Sequence, residues 1–143
     1  MKKILFIIIG VLVVGFVVLQ LIPYGRNHNN PPVIAEPNWD SPQTRELASR
    51  ACFDCHSNET IWPWYSNIAP VSWLVQRDVD EGRSKINFSE LGTGQIREPE
   101  EIGEVIAEGR MPLSNYLSMH PAARLTQDEK QNLIQGFQAT FRR

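Results

Sequence analysis

The sequence predicts an all-α protein, a helical domain held behind an N-terminal transmembrane helix. Three observations carry this. From Ile4 to Leu19 the chain is apolar without a break. The stretches that follow Ser41 and Thr126 open with helix-start signals and continue with apolar residues at helical spacing. No segment alternates polar and apolar residues with the period of two that a half-buried strand requires.

At 143 residues there is room for one modest domain and one appended element. Residues 1–22 read as the membrane anchor, with the span at about 4–22. Leu21 and Ile22 extend the apolar run past Gln20, giving about 19 residues, or roughly 28 Å of helix, close to the hydrocarbon thickness of a bilayer. Lys2 and Lys3 precede the run and few basic residues follow it closely. The positive-inside rule therefore places the N-terminus in the cytoplasm and exports everything after Pro23. A cleaved signal peptide would end in a pair of small residues, and Leu21-Ile22-Pro23-Tyr24 offers none, so an uncleaved signal anchor is expected. This gives a single-pass protein of the cytoplasmic membrane with its domain on the periplasmic or extracytoplasmic side.

Residues 23–39 contain Pro23, Pro31, Pro32 and Pro37 with Asn27, Asn29 and Asn30. That composition reads as an extended linker, and His28 within it as a polar linker histidine. The domain is assigned to residues 40–143. Ser41 is expected to cap a helix whose first position is Pro42, with Leu47, Ala48, Ala51 and Cys52 on one face. The formal charge of −2 gives no sign of nucleic-acid binding. Glu98, Glu100, Glu101, Glu104 and Glu108 read first as a solvated helix face and second as a weak docking surface for a basic redox partner.

The helix from Ser41 runs into Cys52-Phe53-Asp54-Cys55-His56. A C-x-x-C-H run is the pattern of covalent c-type haem attachment. Two thiols add across the two vinyl groups of one porphyrin, so they must lie on one side of a short helical turn. The next histidine then presents its imidazole to the iron. In this reading Cys52 and Cys55 form thioethers to one haem c and His56 is the proximal ligand. A thioredoxin-like pair would need a βαβ context, a zinc site a second cysteine pair, and a disulfide would close a strained short loop. The motif takes both cysteines of the chain.

After the motif, Trp62, Trp64 and Tyr65 stand among Pro63 and Pro70 in a rigid, irregular stretch. In so small a domain a haem is the largest apolar object to cover, so these three aromatics are expected to pack on it. Val71 to about Gly82 reads as a second helix with Trp73, Leu74, Val75 and Val79 on its apolar side. Arg77 and Arg83 on it are expected at the surface, with a haem propionate as the alternative partner. Asn87–Gly92 reads as a loop or short turn. Glu98–Glu108 reads as a third helix, with Ile102, Val105 and Ile106 inward and Gly109 ending it. Thr126-Gln127-Asp128-Glu129 is a capping box opening a last helix with Leu133, Ile134, Phe137 and Phe141 on one face. First and last helices flanking a haem loop is the arrangement of small cytochromes c.

A second axial ligand decides between an electron carrier and an open iron. Met111 is the leading candidate, since it follows a helix end, precedes Pro112, and starts a connection long enough to pass over the far haem face. A thioether favours Fe(II) and raises the potential. His120, between Met119 and Pro121, is the alternative, giving a bis-histidine haem of lower potential. Met119 ranks below both.

The runs CFDCHSNETIWPWYSNIAPVSWLVQRDVDEGRSKINFSEL and GRMPLSNYLSMHPAARLT resemble the bacterial haem-binding domain family of small monohaem, cytochrome-c-like proteins. The resemblance spans roughly residues 40–140 and implies covalent haem in an exported helical domain. Cys52, Cys55 and His56 match its attachment motif and Met111 its Met-Pro position. The chain departs from ordinary class I cytochromes c, which carry Gly-Pro-x-Leu soon after the motif, with the proline carbonyl accepting from the histidine Nδ1–H. Here Pro63 or Pro70 is the expected source of that carbonyl. The expected role is single-electron transfer at the membrane rather than catalysis, with redox partners unnamed. A haem-based sensor with an open or displaceable sixth site is the alternative, and peroxidase-like turnover near His120 is the weakest reading.

Overall fold

The structure is a computed structural model describing residues 1–92 and 99–141. Its regular elements are all helical, and no strand occurs among the described residues. Helix α1 (Lys2–Leu19) buries none of its residues and is long and apolar enough to cross a membrane. Helix α2 (Pro42–Ala51) starts as its residue types dictate: the Ser41 Oγ accepts from the Thr44 N–H at 3.2 Å, and proline takes the first turn, where its missing donor costs nothing. Helix geometry breaks at Cys52 and resumes as the single turn α3 (Phe53–His56).

A 3-10 turn at Trp64–Asn67 leads into α4 (Val71–Lys85), which continues beyond the expected end at Gly82. Helix α5 (Pro99–Ala107) corresponds to the expected third helix; Glu98, its expected first residue, lies outside the described residues. It ends at Gly109, whose φ of +70° is the left-handed conformation that favours glycine after a helix. A short helix α6 (Ser114–Met119) and a 3-10 turn at Pro121–Ala123 fill what the sequence suggested was a loop. Helix α7 (Gln127–Phe141) opens with the expected capping box: the Thr126 N–H donates to Glu129 at 2.7 Å and the Glu129 N–H to the Thr126 Oγ1 at 3.2 Å.

Helices α2 and α7, the first and last of the domain, pack against each other. At Gly136 a side chain would collide with Thr44, so glycine suits this contact. Leu47, Ala48, Phe53, Phe88, Ile106, Leu133, Phe137 and Phe141 form the core. Full burial of each large apolar side chain contributes about 1.5–3 kcal/mol.

The proline- and asparagine-rich segment is irregular, as its composition predicts, but lies along the domain. The Ile34 and Ala35 N–H groups both donate to the Ser89 carbonyl, and Trp39 packs on Phe53, Phe88, Phe137 and Phe141 with ring centroids 5.4–6.3 Å apart. Glu36 ties the segment to α2 by a forked pair of bonds to Arg45, at 2.6 and 2.7 Å. His28 is bonded to the Ser66 Oγ at 2.9 Å and stacked on Trp62.

Candidate haem site

The end of α2 and the turn α3 fix the motif. The Cys52 carbonyl accepts from the N–H groups of both Cys55 (3.1 Å) and His56 (2.9 Å), which winds the two cysteines onto one side of a single turn. Behind them, α4 comes so close that a Cβ on Gly82 would strike the Cys55 carbonyl. The segment after α4 brackets the histidine: the Phe88 N–H donates to the His56 carbonyl at 2.8 Å, and His56 Nδ1 lies 3.2 Å from the Ile86 carbonyl oxygen. With its proton on Nδ1 the ring donates there, and Nε2 keeps the free lone pair that a metal needs. The carbonyl expected from Pro63 or Pro70 is thus supplied by Ile86. Burial lowers the His56 pKa below the ordinary histidine value, against smaller raising effects from the Ile86 and Gly82 carbonyls, and so favours the neutral ring.

Two adjoining cavities, of about 530 and 850 Å³, have Ala51, Cys52, His56, Lys85, Met111 and Pro112 in common among their lining residues. Cys55 opens on the smaller cavity. Met111 reaches both cavities because its N–H, like that of Arg110, donates to the Val105 carbonyl, folding the chain back over the end of α5. His120 and Met119 line the smaller cavity alone. Among the described residues, His56 and Met111 are therefore the imidazole and thioether common to both.

The side chains fit a haem. An imidazole with a free nitrogen, two thiols one turn apart and a thioether converge on a largely apolar space. Ile61, Val71 and Leu74 add apolar side chains to the lining of the smaller cavity. Burial, followed by the charge of Cys55, pushes the Cys52 thiol up to about 12; burial, followed by Asp54, pushes Cys55 up to about 12. No cluster of three or more metal-ligating His, Cys, Asp or Glu residues occurs among the described residues.

Of the three aromatics expected against the haem, only Tyr65 lines the cavity. Trp62 faces the N-terminal segment, stacked on His28 at 4.7 Å with its indole N–H donated to Asn30 at 3.1 Å. Trp64 is 73 % exposed and lines neither cavity. Their turn is fixed by Pro63 and the 3-10 geometry, which send neighbouring side chains in different directions. Arg83 is also committed elsewhere, donating to Ser57, Asn29, Asn30 and Thr60. Arg77 lines the smaller cavity, and Lys85 lines both.

Two side chains that the sequence left unremarked join the walls. Tyr116 on α6 donates its phenol to the Asp54 carboxylate at 2.7 Å, and the other Asp54 oxygen accepts from the Ile61 N–H at 2.9 Å. Burial raises the Tyr116 pKa well above the ordinary tyrosine value, and the Asp54 carboxylate adds to the rise. The Tyr116 ring stacks on His120 at 4.0 Å, and the Tyr65 hydroxyl lies 3.4 Å from His120 Nε2. Asp54 occupies a variable place in the C-x-x-C-H pattern, so no motif marks it.

The fold and site together define a helical domain built to enclose a haem, appended to an apolar helix of membrane-spanning length. A family model described as a haem-binding domain matches residues 14–139, and the chain belongs to that family. No curated protein and no solved structure matches the chain.

Proposed function

We propose that this protein is a membrane-anchored monohaem c-type cytochrome that carries single electrons on the outer side of the cytoplasmic membrane, and is not itself a catalyst. The observation that carries the proposal is that Cys52, His56 and Met111 all line both cavities, with Cys55 a turn away on the smaller one. Bound haem supplies the one-electron couple. Cys52 and Cys55 hold it covalently. His56 supplies a nitrogen whose orientation is set by the Ile86 carbonyl. Met111 supplies a neutral, soft sulfur that favours the reduced state. Lys85, on both cavities, offers positive charge to a propionate. Lys2 and Lys3 ahead of α1 support the outward orientation of the domain.

Haem that stays with the polypeptide through denaturing electrophoresis, and is lost in Cys52→Ala, Cys55→Ala, is the expected result for attachment. Met111→Ala is expected to lose the long-wavelength sulfur-to-iron charge-transfer band and to lower the potential. An unchanged band and potential would remove Met111 from the site. A second reading, a sensor with a displaceable sixth position, is favoured by one observation: Met111 is 36 % exposed, and His120 stands on the same smaller cavity. Immediate, complete binding of carbon monoxide by the reduced protein would select that reading over the carrier.

A further inference from the structure

The segment after α1 leaves no slack between anchor and domain. Gln20, the first residue past α1, spends both ends of its side-chain amide on one backbone unit: Nε2 donates to the Ala69 carbonyl at 2.9 Å, and Oε1 accepts from the Ala69 N–H at 3.0 Å. Arg26 donates to the same Oε1 at 2.8 Å. Five residues later, Gly25 (φ +76°) lies against the first turn of α4, where any side chain would collide with the Ser72 carbonyl. His28 bonds Ser66, and Asn30 bonds Thr60 at 2.9 Å. The chain from Gln20 to Asn30 is therefore a strap pinned to the Thr60–Gln76 side of the domain.

The Thr60–Gln76 segment itself carries no charge; Arg26 of the strap and Arg83 of α4 stand beside it. Between Glu59 and Arg77 there is no Asp, Glu, Lys or Arg, in a chain that is 21 % charged. It also carries Trp64, 73 % exposed and outside both cavities, so a bound haem does not account for its exposure. The strap adds Leu21, Ile22 and Tyr24, which are 44–77 % exposed.

From this we infer that the haem domain is clamped flat on the bilayer that α1 spans, with Trp64, Ile22 and Tyr24 in the lipid headgroup layer. The inference rests on the anchor reading of α1. The 18 residues of α1 cover about 27 Å, against a hydrocarbon core of about 30 Å, so Gln20 ends the span at the hydrocarbon edge. Ala69, bonded to Gln20, then lies at headgroup depth, in a layer about 5–8 Å thick. Trp64 is separated from Ala69 by a 3-10 turn and one residue, no more than about 13 Å of chain. An exposed tryptophan in an uncharged segment, within that reach of the headgroups, is the residue type that bilayer interfaces enrich. The clamp fixes the domain's orientation, so an electron partner must itself lie in or on the membrane.

The test uses the full-length, haem-loaded chain in phosphatidylcholine–phosphatidylglycerol vesicles, with a photoreactive benzoylphenylalanine placed at Trp64 or, as a control, at Asn132 on the exposed side of α7. Mass spectrometry after illumination is expected to find lipid adducts at position 64 and few at 132. Gln20→Ala in the position-64 protein is expected to lower the adduct yield several-fold by freeing the domain. Equal adduct yields at 64 and 132 would overturn the inference, as would a yield indifferent to Gln20→Ala. Extraction of the parent chain from the vesicles by alkaline carbonate would overturn the anchor reading, and this one with it.

Discussion

The cavity wall that carries His56 is backed by Phe53, Ser57, Val79 and Phe88, all buried, and is bracketed by hydrogen bonds to the backbone of Ile86 and Phe88. The wall that carries Met111 is thin: α6 buries none of its residues, Met111 is 36 % exposed, and Met119 is 56 % exposed. It is joined to the opposite wall by the Tyr116–Asp54 bond and by the ring contact of His120 with Tyr65. Apolar side chains gain stability by leaving water, so the first wall is stabilised by protein and the second by whatever fills the cavity. A fixed His56 side and a dependent Met111 side is a workable division for a haem domain, because the turn from Cys52 to His56 is then in place before the haem arrives.

Phe88→Ala breaks the comparison most severely if it is wrong. The ring packs on Phe53, Phe137 and Phe141 and sits 6.4 Å from the His56 ring. Truncation is expected to destabilise the protein by about 3–5 kcal/mol, with or without haem. Denaturant unfolding of both forms checks this. A cost seen only in the haem-loaded form would mean that the proximal wall is as dependent as the distal one.

Gly82→Ala probes the same wall through its backbone. Its new methyl group has no place beside the Cys55 carbonyl, so α4 must move away from α3. A loss of about 1–3 kcal/mol is expected, as for other overpacked sites. The lost contact should also lengthen the His56–Ile86 hydrogen bond, because Ile86 is tied to Gly82 by its N–H. Thermal unfolding, with the reduced-state spectrum reporting histidine strain, tests both effects.

The walls also differ in how far the sequence reveals them. Local chemistry announces the proximal motif: the spacing of Cys52, Cys55 and His56, the Ser41-Pro42 start, and the capping box at Thr126 and Glu129. Each of those signals is complete within a few residues. The Ile86 carbonyl has no such signal, since any residue carries a carbonyl and this one is 30 residues from His56. Helix α6 is invisible for a different reason: it has no side-chain cap and no buried face, so it leaves no periodic pattern. Trp39 was hidden by its proline-rich neighbours, although its partners Phe137 and Phe141 sit on a helix that was legible. Trp62 and Trp64 look like haem cover because they follow the motif closely, and adjacency in sequence does not fix the direction of a side chain in a 3-10 turn.

The smallest expected effect is the most specific to the distal wall. Tyr116→Phe removes one hydrogen bond to the Asp54 carboxylate and keeps the ring stacked on His120. The cost at neutral pH is expected to be about 1–2 kcal/mol, the range for a bond to a charged acceptor in a half-open setting. Its pH dependence has a definite sign. The folded phenol holds its proton more tightly than an unfolded tyrosine, chiefly through burial and then through Asp54. Its contribution is therefore complete below the unfolded pKa of about 10 and is lost as pH rises beyond it toward the folded value. Stability measured against pH should fall on the alkaline side in the parent protein and fall less steeply in Tyr116→Phe. If the two alkaline limbs run parallel, Tyr116 does not hold the walls together, and α6 depends on the occupant of the cavity alone.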